Sequence, residues 1–223
     1  MELSCHNSVA VLAFPPDAGY PRLTMEVLAE LGDLLNEVKL SGLFQGVVIA
    51  ANSRSFATGA SIEEVASVEG VAARDFAEAG QSLFNHMANF PLPIAAAIRG
   101  YCLGGGLDLA LACHARIATY DASFGHPGAS LGLITGWGGT QRLTRLIGRT
   151  AATQLLLTAE RVPASQALTL GLVDELAPSP DLVQAAAHRA LARMHMQGNW
   201  KLENGERLSS PALHVSNNPA GFK

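Results

Sequence analysis

The 223-residue sequence has few charged residues and no concentrated positive face. Charged residues make up 15% of the chain, against about 25% in an average globular protein, while hydrophobic residues make up 48%. Disorder needs low hydrophobicity and high net charge, so this composition excludes it. Fifteen basic and nineteen acidic residues leave a net charge of −4 without a long basic run, which excludes a nucleic-acid binder. We expect one domain with apolar surface left for other subunits.

Cysteine is scarce, and its spacing fits neither a disulfide framework nor a metal site. Cys5, Cys102 and Cys113 form an odd set without a CxxC or Cys/His pattern, so we expect reduced thiols and no bound metal. The first residues, MELSCHNSVAVLAF, lack the basic segment of a signal peptide. Residues 79–98 and 122–141 carry no Asp, Glu, Lys or Arg, but polar residues, prolines and glycines interrupt them. We therefore expect no membrane partner and a cytoplasmic location.

Short apolar runs alternate with helical patterns along the chain, which is typical of an α/β fold built from βαβ units. One clear helix, 24–39, has apolar residues at Leu28, Leu31, Leu35 and Val38. We assign residues 1–194 to this domain and 195–223, which lose all periodicity, to an atypical C-terminal tail. The predicted strands are 8–14, 46–51, 94–98, 115–119 and a brief 172–175. The predicted helices are 24–39, a short one opened by a capping box at Ser61, 71–89, 105–113, 141–147, 150–159, 165–170 and 181–194.

The segment PIAAAIRGYCLGGGLDLALACHARIAT, residues 93–119, runs from a buried strand through three glycines into an apolar helix. Glycines allow a second backbone or a ligand to approach closely. Amide protons at the start of a helix point outward with the positive end of the dipole behind them. The turn therefore suits a phosphate or a carbonyl oxygen that gains charge during a reaction. It lacks the ending of a P-loop and is not GxGxxG, and a tight strand–helix junction without a ligand explains the glycines equally well.

A second turn of this kind lies in SFATGASIEEV, residues 55–65, where 58–60 follow a buried strand and precede a capped helix. Ligands of open α/β sheets bind at the carboxyl ends of strands. Two such turns therefore predict a ligand site more strongly than one.

Four motifs together resemble the crotonase family, the enoyl-CoA hydratases and isomerases. FATGASIEEV is similar to that family's F-A-x-G-A-D, and RGYCLGGGLDLALACHARIAT to its N-G-x-x-x-G-G-G-x-E/D-L-x-x-x-C-D. SFGHPGASLGLITGWGGTQRLTRLIG is similar to F-x-x-P-E-x-x-x-G-x-x-P-x-x-G-G-x-x-x-L-x-R-x-x-G, and residues 167–174 to A-x-x-x-G-L-V-D. The motifs occur in order between about residues 8 and 194.

The resemblance implies the crotonase fold, a spiral of ββα turns with C-terminal helices, assembled as a homotrimer or a hexamer. It implies an acyl-CoA substrate and no cofactor, since CoA is part of the substrate. The two backbone amides of the family's oxyanion hole fall on Ala60 and Gly105. The substrate contacts fall on Ala60, Ser61, Ile62, Glu63 and Gly105.

The departures from the family pattern concern the acid/base groups. Family hydratases use two glutamates to orient and activate water. Asp108 stands at the first of these positions and Gly128, which has no side chain, at the second. Ser61 replaces the aspartate that ends the first motif, and the family's asparagine after the first strand is missing. Asp108 is therefore the expected single catalytic acid/base, although a partner of the helix dipole is the alternative.

Other candidates for proton transfer or substrate contact each have a structural alternative. His126 is a candidate because the unperturbed pKa of histidine lies near neutral pH, but a polar filler beside a strand is the simpler interpretation. Trp137 carries no useful proton and is expected to be a pocket wall. Glu63 and Glu64 lie where acids cap a helix, and Arg22 and Arg54 are either contacts to CoA phosphates or solvated surface charges.

Two hypotheses about function follow from the sequence. The first is an acyl-CoA enzyme of the enoyl-CoA hydratase/isomerase type, with isomerase-like chemistry favoured over efficient hydration because only one carboxylate remains. The second is a non-catalytic relative that binds acyl-CoA and has lost turnover. Gly128 favours the second, and retention of Ala60, the glycine triplet and Asp108 favours the first.

Overall fold

The protein is described by a computed structural model, which covers residues 1–17, 19–52, 54–197, 202–203 and 206–207. Strands and helices alternate, which confirms the predicted α/β class. The strands are β1 Glu2–His6, β2 Val9–Ala13, β3 Gly46–Ala50, β4 Ile94–Ile98, β5 Tyr101–Leu103, β6 Ala115–Thr119, β7 Ser123–Gly125, β8 Arg161–Pro163, β9 Glu175–Ala177, β10 Leu202–Glu203 and β11 Glu206–Arg207. The helices are α1 Met25–Ser41, α2 Ile62–Ser67, α3 Gly70–Ala88, α4 Gly105–Ala112, α5 Gly139–Ile147, α6 Arg149–Thr158, α7 Ala164–Thr169 and α8 Pro180–Gln197, with a 3₁₀ helix at Pro127–Leu131.

A six-stranded sheet of order β1-β2-β3-β4-β6-β9 forms the centre of the fold. All pairs are parallel except β1 with β2, which form an antiparallel hairpin at one edge. Every residue of β3, β4 and β6 is buried. Strands covered on both faces have continuous apolar sequences rather than alternating ones, and this is why these three were readily predicted.

The amphipathic stripe of the first helix packs as the sequence predicts. Leu28, Leu31, Leu35 and Val38 of α1 are buried. The side chain of Thr24 accepts a hydrogen bond from the backbone N–H of Val27, and this cap starts the helix.

A second sheet, of order β5-β7-β8, was not predicted from the sequence. Its strands have three residues each, too few to show a period of two. The predicted strand at 172–175 is also wrong: the strand is β9, Glu175–Ala177. Leu172 and Val173 are buried without belonging to a strand, so burial and not pairing explains their apolar character.

Helix α8 covers the face of the main sheet opposite to the large core. Ala187, Ala190 and Leu191 pack there with Val48 and Ile117. The helix extends to Gln197, three residues beyond the boundary expected at 194. Of the proposed tail, residues 198–201, 204–205 and 208–223 lie outside the described residues. In the part of the chain that the structure covers, no helix combines the length and the apolar character that crossing a membrane requires.

Candidate active site

The glycine triplet joins β5 to α4 where a neighbouring loop comes very close. Gly104 donates its backbone N–H to the carbonyl of Gly125 at 2.8 Å. A Cβ on Gly106 would lie 2.8 Å from the Cβ of Ala57 and would overlap its carbonyl group. Only glycine allows this contact, so the triplet lets the loop that follows Phe56 pack directly against the start of α4.

The structure brings Ala60 and Gly105, the two predicted oxyanion-hole residues, side by side. The loop that carries Ala60 is fixed by hydrogen bonds from Leu23 N–H to the Gly59 carbonyl and from Thr58 N–H to the Pro21 carbonyl, both 2.8 Å. A Cβ built on Gly105 would lie 3.4 Å from the Ala60 nitrogen. Across the described residues, neither amide donates to a protein acceptor. Two adjacent free donors therefore stand at the N-terminus of α4.

Asp108 lies in the first turn of α4, and its side chain is 1% exposed. The Thr135 hydroxyl donates to Oδ2 of Asp108. This bond, the charge of Arg142 and the nearby backbone of Trp137 favour the ionised form. Burial has a larger effect than these and raises the pKa of Asp108 to about 7. A carboxyl group with this pKa can both give and take a proton near neutral pH.

His126 is buried next to Asp108, a position that its place in the sequence does not indicate. Its Nε2 lies 3.7 Å from Oδ1 of Asp108, and the imidazole is 5% exposed. Burial lowers the pKa of His126 to about 4, so the ring is neutral at physiological pH. The sequence separates the two residues by eighteen positions, and only the tertiary structure shows that they meet.

Gly128 lies in the 3₁₀ helix Pro127–Leu131 and does not have a positive φ. A Cβ at this position would meet Leu133 at 3.5 Å, which is an ordinary van der Waals contact. The backbone therefore does not require glycine at position 128. The difference from the family pattern is the loss of a carboxylate, and backbone geometry does not explain it.

Trp137 fills the space between α3 and α4 and is 3% exposed. Its ring packs against Phe76 and Phe84, with centroids at 5.2 and 5.8 Å. A Cβ on Gly105 or on Gly80 would overlap the indole. The indole therefore lies directly against the Cα of Gly105.

The other predicted substrate contacts form a network at the start of α2. Ser61 caps α2 by accepting from Glu64 N–H at 3.4 Å, and its hydroxyl donates to Glu63 at 2.8 Å. Arg22 donates to the same carboxylate at 2.7 Å. A backbone hydrogen bond, then Ser61 and Arg22, lower the pKa of Glu63 to about 2. Glu63 is thus an ionised helix-capping acid, while Ile62 is 60% exposed beside it.

Two residues that act on Asp108 had no signal in the sequence. Thr135 is twenty-seven positions away, in the loop before α5. Arg142 donates to the Trp137 carbonyl at 2.9 Å and to Asn85 Oδ1 at 2.6 Å, and this places its positive charge near the carboxyl group.

A cavity of about 910 Å³ lies between α3, the end of α4 and α5. Its lining includes Trp137, Gly136 and Arg142, but not Ala60, Gly105 or Asp108. Among the residues covered by the structure, no three His, Cys, Asp or Glu side chains are grouped so that they could hold a metal ion.

Comparison with known proteins identifies the family of the chain. The sequence profile of the family described as "Enoyl-CoA hydratase/isomerase" matches residues 5–203. The chain belongs to this family.

Curated relatives of this enoyl-CoA hydratase/isomerase family member include two fatty acid oxidation complex subunits alpha. The one from Shewanella loihica is 39% identical over 207 residues, which are 91% of this chain and 29% of the relative. The one from Shewanella halifaxensis is 38% identical over 191 residues, 83% of this chain and 27% of the relative. The chain spans less than a third of the length of these relatives.

Solved structures of enoyl-CoA hydratases have the same architecture. The enzyme from Bacillus anthracis superposes with a TM-score of 0.80 at 30% identity, over 86% of this chain and 75% of that one. The enzyme from Thermoplasma volcanium gives 0.82 at 27% identity, over 88% and 79%. The fold is the crotonase fold, as the motifs predict.

Proposed function

We propose that this family member is an acyl-CoA enzyme that stabilises a thioester enolate and moves a proton along the acyl chain. The observation that carries the proposal is the position of Asp108, a buried carboxyl group with a pKa near 7, one turn from two adjacent free amides. Membership of the family and relatives named as fatty acid oxidation subunits support an acyl-CoA substrate. The whole chemistry is carried by protein groups and the substrate.

The amides of Ala60 and Gly105 bind the thioester oxygen in this mechanism. Removal of a proton from C2 of a 3-enoyl-CoA places negative charge on that oxygen. Two preorganised donors in a site that excludes water stabilise such charge by several kcal/mol. Ser61, Ile62 and Glu63, at the start of α2, are the proposed neighbours of the bound acyl-CoA.

Asp108 is the proposed acid/base. Its carboxylate takes the C2 proton, the C–H electrons move to the thioester oxygen, and the same carboxyl group then protonates C4. One proton leaves C2 and one arrives at C4, so the 3-enoyl-CoA becomes a 2-enoyl-CoA. Addition of water needs a second group to hold the water, and Gly128 provides none. Isomerisation is therefore favoured over hydration.

A panel of 3-enoyl-CoA and 2-enoyl-CoA substrates tests the proposal, with Asp108→Asn as the decisive variant. Asp108→Asn should lower kcat for isomerisation about 10²- to 10⁴-fold, the usual contribution of a positioned acid/base, and leave acyl-CoA binding nearly unchanged. Isomerisation that survives in Asp108→Asn would contradict the mechanism. An inactive parent that binds acyl-CoA tightly would support the second candidate, a binding-only relative, which the absence of a carboxylate at Gly128 favours.

A further inference from the structure

Two buried polar atoms face each other beside the first turn of α4. They are Nε2 of His126 and Oδ1 of Asp108, 3.7 Å apart. Neither atom has a hydrogen-bond partner among the residues that the structure covers. Leaving a buried polar atom without a hydrogen bond is unfavourable, so two such atoms opposite each other need a physical explanation.

The hydrogen bond from Thr135 distinguishes the two oxygens of Asp108. The Thr135 hydroxyl donates to Oδ2. Accepting this hydrogen bond lowers the proton affinity of Oδ2 relative to that of Oδ1. Oδ1 is therefore the oxygen that carries the proton when Asp108 is protonated. The atom that it faces is an imidazole nitrogen, which accepts a hydrogen bond when the ring is neutral.

The charges around the pair are compatible with this arrangement. Burial keeps His126 neutral, with a pKa of about 4, and keeps Asp108 protonated up to about pH 7. Arg142 of α5 acts on Asp108 through its positive charge. The Cys102 thiol in β5 is kept neutral, because burial and then the charges of Cys113 and Asp108 raise its pKa. At physiological pH the pair thus consists of a neutral imidazole and a carboxyl group that is close to the midpoint of its titration.

We propose that His126 is the positioning partner of Asp108, accepting through Nε2 the hydrogen bond of the proton held on Oδ1. This inference rests on the proposed function. During isomerisation the C2–H bond breaks as an O–H bond forms on Asp108, and that O–H bond then breaks as C4–H forms. His126 gains and loses no proton. It orients the Asp108 O–H group during the lifetime of the enolate. In this chain the family's second carboxylate, which would stand at Gly128, is absent.

The distance must shorten for this hydrogen bond to form. A hydrogen bond between these atoms needs about 2.7–3.2 Å, so the groups approach by somewhat less than 1 Å. Hydrogen bonds in active sites are often long without substrate and tighten in the complex.

Kinetics of two His126 variants test the role. His126→Leu removes the acceptor and should lower kcat about 10- to 100-fold, the typical cost of a misplaced reacting group, with KM nearly unchanged. His126→Gln offers an amide oxygen as acceptor and should recover most of that loss. The matched control is His188→Gln, on α8 at the opposite face of the sheet, which should match the parent. Equal kcat in His126→Leu and the parent would overturn the inference.

Nitrogen-15 NMR of histidine-labelled protein tests the pairing at the His126 nitrogen itself, first in the parent and then in Asp108→Asn. At pH 6 the His126 Nε2 resonance should be that of an unprotonated, hydrogen-bonded nitrogen, and it should shift as Asp108 titrates near pH 7. The shift should disappear in Asp108→Asn. A protonated Nε2, or a resonance that ignores Asp108→Asn, would overturn the inference. Loss of activity in Asp108→Asn together with a silent His126 resonance would refute the pairing alone, whereas full activity in Asp108→Asn would refute the proposed function.

Discussion

Asp108 and His126 respond to pH in opposite directions, because burial disfavours the charged form of each. The pKa of Asp108 rises from 3.8 to about 7 on folding, so its contribution to stability is complete below pH 3.8 and is lost as the pH rises to 7. The pKa of His126 falls from 6.5 to about 4, so its contribution is complete above pH 6.5 and is lost as the pH falls to 4. Between about pH 4 and 6.5 the two effects oppose each other.

Removing either group should reveal the slope of the other. Relative to the parent, the free energy of unfolding of Asp108→Asn should rise with pH between about pH 4 and 7, the interval over which Asp108 loses its contribution. Relative to the parent, that of His126→Gln should fall with pH between about pH 4 and 6.5, the interval over which His126 gains its contribution. Each trend approaches about 1.4 kcal/mol per pH unit. Urea unfolding of the three proteins across this range measures both slopes, and parallel curves for all three would show that neither pKa is shifted.

The glycine at 128 allows a gain-of-function experiment at the residue scale. Gly128→Glu should raise the hydration of a short 2-enoyl-CoA, because it restores the family's second carboxylate in a backbone without positive φ. A positioned acid/base contributes about 10²- to 10⁴-fold, so a gain is easily detected in a spectrophotometric hydration assay.

Gly128→Ala is the control for this experiment, since it adds the Cβ that meets Leu133 at 3.5 Å without a carboxyl group. Hydration that does not rise in Gly128→Glu, with binding intact, would mean that the new carboxylate does not reach the substrate.

At the scale of elements, the contact of α3 with α4 depends on one indole and two glycines. Trp137 lies against Gly80 of α3 and Gly105 of α4. Gly80→Ala would place a Cβ 2.6 Å from Cγ of this indole. Because the ring is held by Phe76 and Phe84, we expect the substitution to destabilise the protein by about 1–3 kcal/mol, the usual cost of overpacking.

Gly32 in α1 provides the matched comparison. A Cβ there would meet Leu83 at 3.7 Å, an ordinary contact, so Gly32→Ala should stabilise the protein by about 0.5–1 kcal/mol through helix propensity. Thermal or urea unfolding distinguishes the two variants by sign. Equal effects would show that the Trp137 ring moves aside without cost.

The sequence predicts the elements best where the apolar pattern and the caps agree. The sequence predicts β4 and β6 to the residue, and the Ser61 cap of α2 lies where the capping box predicts it. The three-residue strands β5, β7 and β8 were missed because they hold their positions through tertiary contacts, such as the bridge of Ala57 to Cys102. At the site, the motifs indicate Ala60, Gly105 and Asp108, whereas Thr135 and His126 meet Asp108 only after folding, and no local pattern encodes such contacts.

For the whole molecule, the exposed apolar side chains predict self-association. Leu131 ends the 3₁₀ helix and is 59% exposed, and Leu133 and Ile134, which follow it, are 46% and 62% exposed. Leu157 of α6 is 66% exposed. Exposed apolar patches commonly mark interfaces, and closed symmetric oligomers bury them. We expect a homotrimer or a hexamer by multi-angle light scattering at micromolar concentration, and a monomer would contradict this prediction.

Because Cys102 is buried, the rate at which its thiol reacts with a reagent reports on local opening at the glycine turn. The Cys102 thiol is inaccessible and lies 3.5 Å from the Gly106 carbonyl, while Cys5 is exposed. A thiol reagent should therefore modify Cys5 within the mixing time and Cys102 only when β5 separates from the start of α4. Cys113 is buried as well, so the experiment uses Cys113→Ala. In that variant the slow phase of labelling measures how often this turn opens, and a ligand that bridges the Ala60 and Gly105 amides should lengthen that phase alone.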